Sequence, residues 1–240
     1  VAAPERAAWQ RDGRKIAPDR ARRKRGRALL PPARGRLCRP GRCPPLLRGA
    51  DVGRGRLRSG GEAVSAALAR ACILGCAGPR LGADERAFFA SAAPWGFILF
   101  ARNVESPAQL RALCDDLRAA VGWRAPILID QEGGRVARLG PPHWAAWPPA
   151  LEAVAGLSPE AARAHMAARY GAIGAELAAL GIDVNCAPLA DIARPETHPI
   201  LLNRCYGTQP GTVVAAARGV AEGLLGAGVL PVLKHIPGHG

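Results

Sequence analysis

Residues 126–138 read Pro126-Ile127-Leu128-Ile129-Asp130-Gln131-Glu132-Gly133-Gly134-Arg135-Val136-Ala137-Arg138. The opening positions are apolar without alternation, the pattern of a strand covered on both faces, as in a parallel sheet inside a helical layer. The strand delivers a carboxylate, Asp130, to its exposed end, and the two glycines behind it let the backbone turn sharply. A carboxylate so placed can accept hydrogen bonds from a pair of ligand hydroxyls, while Arg138 offers a planar fork of donors. An Asp130–Arg138 ion pair that only fixes the loop is the competing reading of the same residues.

Outward from this stretch the same rhythm repeats from about residue 63 onward. Short apolar runs at 71–76, 96–100, 126–130, 183–187 and 230–235 alternate with longer amphipathic stretches at 84–90, 107–121, 159–180 and 211–227, the cadence of βα units. Ser106 and Ser158 precede prolines and read as N-caps. Leu180-Gly181 and Ala227-Gly228 read as helix ends with a glycine stop. The fold class is therefore α/β. Periodicity alone gives a doubly wound sheet and a (β/α)8 barrel the same signal. Asp130, Lys234, His235 and the 185–191 stretch all sit where a strand runs out, the place where barrels collect their chemistry. Five strands make an incomplete barrel.

Two further constellations stand out. Leu233-Lys234-His235-Ile236-Pro237-Gly238-His239-Gly240 ends a strand in two adjacent polar side chains. A lysine there is costly to bury alone, so an acidic neighbour or a polar ligand is expected. His235 and His239 could suggest a metal, but a Pro-Gly loop does not hold a helical i,i+4 face and no third ligand is evident. The other constellation is Leu202-Asn203-Arg204-Cys205-Tyr206-Gly207, preceded by Asp183-Val184-Asn185-Cys186-Ala187-Pro188-Leu189-Ala190-Asp191. The loop from 192 to 210 is long for a compact domain and so is expected to be functional or disordered. Arg204 could clamp a hydroxyl-rich or anionic ligand, though a solvated surface arginine is the commoner outcome.

In order and spacing, Asp130-Gln131-Glu132-Gly133-Gly134-Arg135-Val136, the 185–191 stretch, Asn203-Arg204-Cys205-Tyr206-Gly207 and Lys234-His235-Ile236-Pro237-Gly238-His239-Gly240 resemble glycoside hydrolase family 3. The resemblance spans about residues 68–240 and is closest to bacterial β-N-acetylglucosaminidases (β-hexosaminidases) of peptidoglycan recycling. It implies a (β/α)8 TIM-type barrel, here truncated after about the fifth strand. It also implies that Asp130, Arg138, Arg204, Lys234 and His235 contact a non-reducing N-acetylglucosamine through its hydroxyls. The reaction implied is hydrolysis of terminal β-linked N-acetylglucosamine from cell-wall muropeptides by a retaining mechanism, with no metal and no organic cofactor. Such a mechanism needs an acid/base and a nucleophile on opposite faces of the sugar. His239 lies at the start of the loop that carries the acid/base histidine in the family, so both catalytic groups are expected beyond Gly240. Residues 1–240 alone are expected to be inactive, and unstable or aggregation-prone, because missing strands leave barrel faces and a sheet edge open.

Charge divides the chain. Residues 1–60 hold 18 Lys and Arg against 4 Asp and Glu, whereas residues 61–240 hold 15 of each. Residues 1–62 read as an Arg/Pro-rich disordered or non-native extension with no sustained apolar period, and 63–240 as the partial barrel domain. An Arg-rich tail can bind nucleic acid, but aromatic interleaving beyond Trp9 and any recognisable binding fold are missing, which weighs against that partner. Seven cysteines without CxxC spacing read as reduced thiols. No apolar run reaches membrane-spanning length, and no secretory h-region follows the basic start, so a cytoplasmic enzyme is expected. With a first residue of Val1 and a last of Gly240, both ends look cut. A family 3 β-glucosidase or β-xylosidase is the competing enzyme reading.

Overall fold

The computed structural model describes residues 69–238. The expected domain boundary near residue 62, the basic segment with its disorder and nucleic-acid readings, and His239 lie outside the described residues.

In chain order the elements are β1 (Arg70–Leu74), α1 (Ala83–Ala92), β2 (Pro94–Leu99), a 3-10 turn (Ala101–Asn103), α2 (Pro107–Val121), β3 (Ile127–Ile129), β4 (Gln131–Gly133), β5 (Val136–Ala137), α3 (Ala150–Val154), α4 (Pro159–Ala179), β6 (Val184–Asn185), α5 (Pro199–Leu202), α6 (Pro210–Gly226) and β7 (Leu230–Pro231). The four long helices fall where the sequence puts them. Ser106 Oγ accepts from the Gln109 amide, and the Gln109 side chain returns a bond to the cap backbone. Ser158 accepts from the Ala161 amide. Each such cap is worth about 1 kcal/mol. Gly181 and Gly228 both take φ of +79°, the left-handed conformation that ends the preceding helix.

The strands are shorter than the apolar runs suggest. β6 and β7 stop after two residues each, and Pro188 and Pro231 have no amide hydrogen with which to extend a ladder. Beyond them, Leu189 and Lys234 meet only as an isolated parallel bridge. The 192–210 loop carries the single-turn helix α5, and the antiparallel β4–β5 pair and α3 were not anticipated.

Strand order settles the architecture. β1-β2-β3-β6-β7 form one sheet, every neighbouring pair parallel. A doubly wound sheet reverses its order at a switch point. Here spatial order follows chain order, and right-handed crossovers then place all the helices on one face, the winding of a barrel wall. The centre is closed: Phe97, Leu99, Ile127 and Ile129 are fully buried. The expectation that both faces of every strand are covered does not hold throughout: Ile73 on β1, Trp95 near the start of β2, Leu230 on β7 and Leu233 just beyond it are exposed. Among the described residues β1 and β7 each have a neighbour on one side only.

The helical layer packs closely where α4 meets α6. A Cβ added to Gly219 would lie 2.2 Å from the Arg163 carbonyl oxygen, and one on Gly223 would lie 2.4 Å from that of Ala167. The two backbones approach to a distance only glycine permits.

Candidate active site

The site is built at the carboxyl ends of β3, β6 and β7, starting from one residue that faces away from it. Gln131 is fully buried. Its side-chain oxygen accepts from the Arg138 and Leu139 amides at 2.8 and 3.0 Å, and its side-chain nitrogen donates to the Leu139 carbonyl. Its own backbone exchanges two 3.0 Å hydrogen bonds with the Asn185 carboxamide on β6. Locking Gln131 fixes its neighbours, because alternation along extended backbone places Asp130 and Glu132 together on the opposite side.

Those two carboxylates organise three cations. Lys234 Nζ lies 2.8 Å from Asp130 Oδ1 and 2.6 Å from Glu132 Oε1, bridging them. Arg138 Nη2 donates to the other Asp130 oxygen at 3.2 Å. Arg204 grips Glu132 with a two-bond fork, Nε to Oε2 and Nη2 to Oε1, both 2.8 Å. Next to Lys234, His235 Nδ1 is 2.7 Å from Asp191 Oδ2. Burial pushes the Asp130 carboxyl up, but the Lys234 ammonium and then Arg138 outweigh it and hold the group below the usual carboxylate range. The fork to Glu132 raises the Arg204 pKa, with Asp130 and Asp191 adding to the effect. Asp191 is thus electrostatically part of the same cluster.

All five residues singled out from the sequence are accounted for. Asp130, Arg138, Arg204 and Lys234 converge through direct ion pairs, and His235 stands beside them on Asp191. The Asp130–Arg138 pair exists, but it occupies one carboxylate oxygen while Lys234 takes the other, so it is more than a loop fastener. Glu132 was missed, although its two-residue offset from Asp130 was a signal that the two share a face. Cys186, half-buried at the end of β6, has its thiol pushed up by burial and by the Asp130 carboxylate. An open cavity of about 360 Å³ adjoins His235 and Asp191, lined also by Arg194, Thr197 and Leu201. Among the described residues no three His, Cys, Asp or Glu side chains are grouped to hold a metal ion, and no helix is long and apolar enough to cross a membrane. Cys72, Cys76, Cys114, Cys186 and Cys205 are all free thiols.

The family profile described as the glycosyl hydrolase family 3 N terminal domain matches residues 77–240. The chain belongs to glycosyl hydrolase family 3. Among curated relatives, a "Beta-hexosaminidase" of Alkalilimnicola ehrlichii is 40% identical over 172 residues, covering 70% of this chain and 48% of the relative. One of Methylococcus capsulatus is 40% identical over 165 residues, with 68% and 48% covered. The chain therefore spans about half the length of the curated relatives it matches. The solved structure of NagZ from Neisseria gonorrhoeae in complex with N-trifluoroacetyl-D-glucosamine superposes with a TM-score of 0.65 at 27% identity, covering 72% of this chain and 51% of that one. A family 3 beta-N-acetylglucosaminidase from Paenibacillus sp. gives 0.61 at 33% identity, with 70% and 32% covered. The five-stranded sheet is thus the first part of a family 3 barrel.

Proposed function

We propose that this chain supplies the sugar-binding half of a β-N-acetylhexosaminidase that removes terminal non-reducing β-linked N-acetylglucosamine from cell-wall muropeptides in the cytoplasm. The observation that carries the reading is the Lys234 bridge between Asp130 and Glu132, with an arginine also paired to each carboxylate. Asp130, Glu132 and Asp191 balance Arg138, Arg204 and Lys234, so the cluster carries no net charge apart from His235. An ion-pair cluster with its own charges balanced and dense in fixed donors and acceptors suits an uncharged polyol better than a phosphate or a nucleic acid backbone, which call for excess positive charge.

Asp130 accepts from two neighbouring hydroxyls of the pyranose, while Arg138, Lys234 and His235 donate to or accept from the rest and Arg204 closes the ring. Positioning of this kind lowers the barrier by removing motional freedom before the chemical step. The retaining mechanism also needs an acid/base and a nucleophile on opposite faces of the sugar, and the matched stretch spans about half the length of the relatives.

An aryl N-acetyl-β-glucosaminide offered to a chain extended past Gly240 is the test. Release of the aryl group, with much slower release from the matching β-glucoside and β-xyloside, is the expected result. Preference for the glucoside or xyloside overturns the substrate assignment.

A further inference from the structure

We infer that Glu132 is a positioning residue: it does not reach the sugar itself but sets where Arg204 and Lys234 present their donors to it. Its side chain is 3% exposed, against 19% for Asp130, so little of it is open to a ligand. Three of its contacts face the cluster: the two-bond fork from Arg204 and the short bond from Lys234. Both carboxylate oxygens are engaged, and Oε1 serves both cations at once. The separation of Arg204 from Lys234 is therefore fixed by one atom.

Glu132 is in turn held from behind by residues on α4. Its backbone carbonyl accepts from Arg169 Nη2 at 2.8 Å and from the Tyr170 hydroxyl at 3.1 Å, and both donors are buried. Arg169 Nη2 also donates to the Pro148 carbonyl at 2.8 Å. The next residue must be glycine: a Cβ on Gly133 would stand 2.0 Å from Arg169 Nη2. The chain of support runs from α4 to the Glu132 peptide, to the Glu132 carboxylate, to the two cations. A buried carboxylate with no exposed face and two cationic dependants is arranged to orient and not to bind.

The ligand part of this inference rests on the N-acetylglucosamine reading; the arginine part does not. Glu132→Gln keeps the shape and removes the charge; two donors, Arg204 Nη2 and Lys234, hold its remaining oxygen at the Oε1 position, so the amide nitrogen falls opposite Arg204 Nε, which loses its acceptor. Two readouts are taken on the whole chain. The first is the Arg204 Nε–H resonance in a ¹⁵N-arginine spectrum, identified by its loss in Arg204→Lys. It is expected to exchange slowly in the parent and to vanish into fast exchange in Glu132→Gln. The second is N-acetylglucosamine affinity by titration, expected to weaken about tenfold or more. A slowly exchanging Arg204 resonance that survives in Glu132→Gln overturns the inference, as does sugar affinity equal to the parent's. Should the parent itself not bind N-acetylglucosamine, the substrate reading falls while the arginine resonance still decides the role of Glu132. Should Glu132→Gln unfold, Glu132→Asp keeps the charge and withdraws it by one methylene, and the same two readouts apply with smaller changes.

Discussion

Lys234 Nζ and Asp130 Oδ1 lie 2.8 Å apart across 104 residues of chain. Only a sheet that brings the ends of β3 and β7 to the same rim can close that distance. The contact reports both the winding of the barrel wall and the convergence of the site. Lys234 also neutralises Glu132, so one ammonium serves two carboxylates.

Removing that ammonium leaves Asp130 and the buried Glu132 facing each other, each with only its arginine as counter-ion. Lys234→Met is expected to destabilise the chain by about 3–5 kcal/mol, the usual cost of breaking a buried ion pair from one side. Chemical denaturation of the two proteins checks this. A loss under about 1 kcal/mol would mean that the pair is effectively solvated.

Asp130 gives the account a pH signature. Its folded pKa is depressed below the ordinary carboxylate value. The stabilisation it provides is therefore complete above its unfolded pKa of about 3.9 and is lost as pH falls through the lower folded value. Melting temperatures of the parent and Asp130→Asn, compared from neutral pH downward, are expected to differ by a constant amount and then converge below about pH 4. A gap that persists undiminished into strong acid contradicts the assignment.

The helical layer offers a test away from the site. Gly223→Ala places a methyl 2.4 Å from the Ala167 carbonyl oxygen and 2.7 Å from the Gly171 amide. Forcing α4 and α6 apart is expected to cost about 1–3 kcal/mol. Gly171→Ala, whose Cβ meets nothing within 4 Å, is the control and is expected to stabilise by up to about 1 kcal/mol through helix propensity.

A second polar clamp ties β3 to β6 at the opposite end of the sheet. Asp183 Oδ2 accepts from Arg118 Nη2 at 2.7 Å and from the Ile127 amide at 2.9 Å. Arg118 also donates to the Ala125 and Gly181 carbonyls. Asp183→Ala is expected to lower stability by about 1–3 kcal/mol, because it strands a guanidinium and a backbone donor. Sugar affinity is expected to stay unchanged, as the clamp lies at the amino end of the strands.

What the sequence disclosed follows the reach of each interaction. The Ser106 and Ser158 caps and the glycine stops at 181 and 228 are local, and those helix bounds agree with the structure to within a residue or so. Asp130 and Lys234 were legible because each is a polar residue closing an apolar run. Strand order was not legible, since periodicity describes a strand and not its neighbours. Glu132 sits between Gln131 and two glycines in what reads as a surface loop. Its burial comes from Arg169, Arg204 and Lys234, contributed 37, 72 and 102 residues later in the chain. Likewise, the partner of His235 is Asp191, on the loop after β6, a pairing that no spacing rule specifies.

The most direct measurement is the structure of this chain in complex with N-acetylglucosamine. One pyranose is expected at the rim of β3, β6 and β7, its hydroxyls within hydrogen-bond distance of Asp130, Arg138, Arg204, Lys234 and His235, with Glu132 beneath and out of contact. A sugar bound elsewhere, or a rim left empty at saturating sugar, contradicts it.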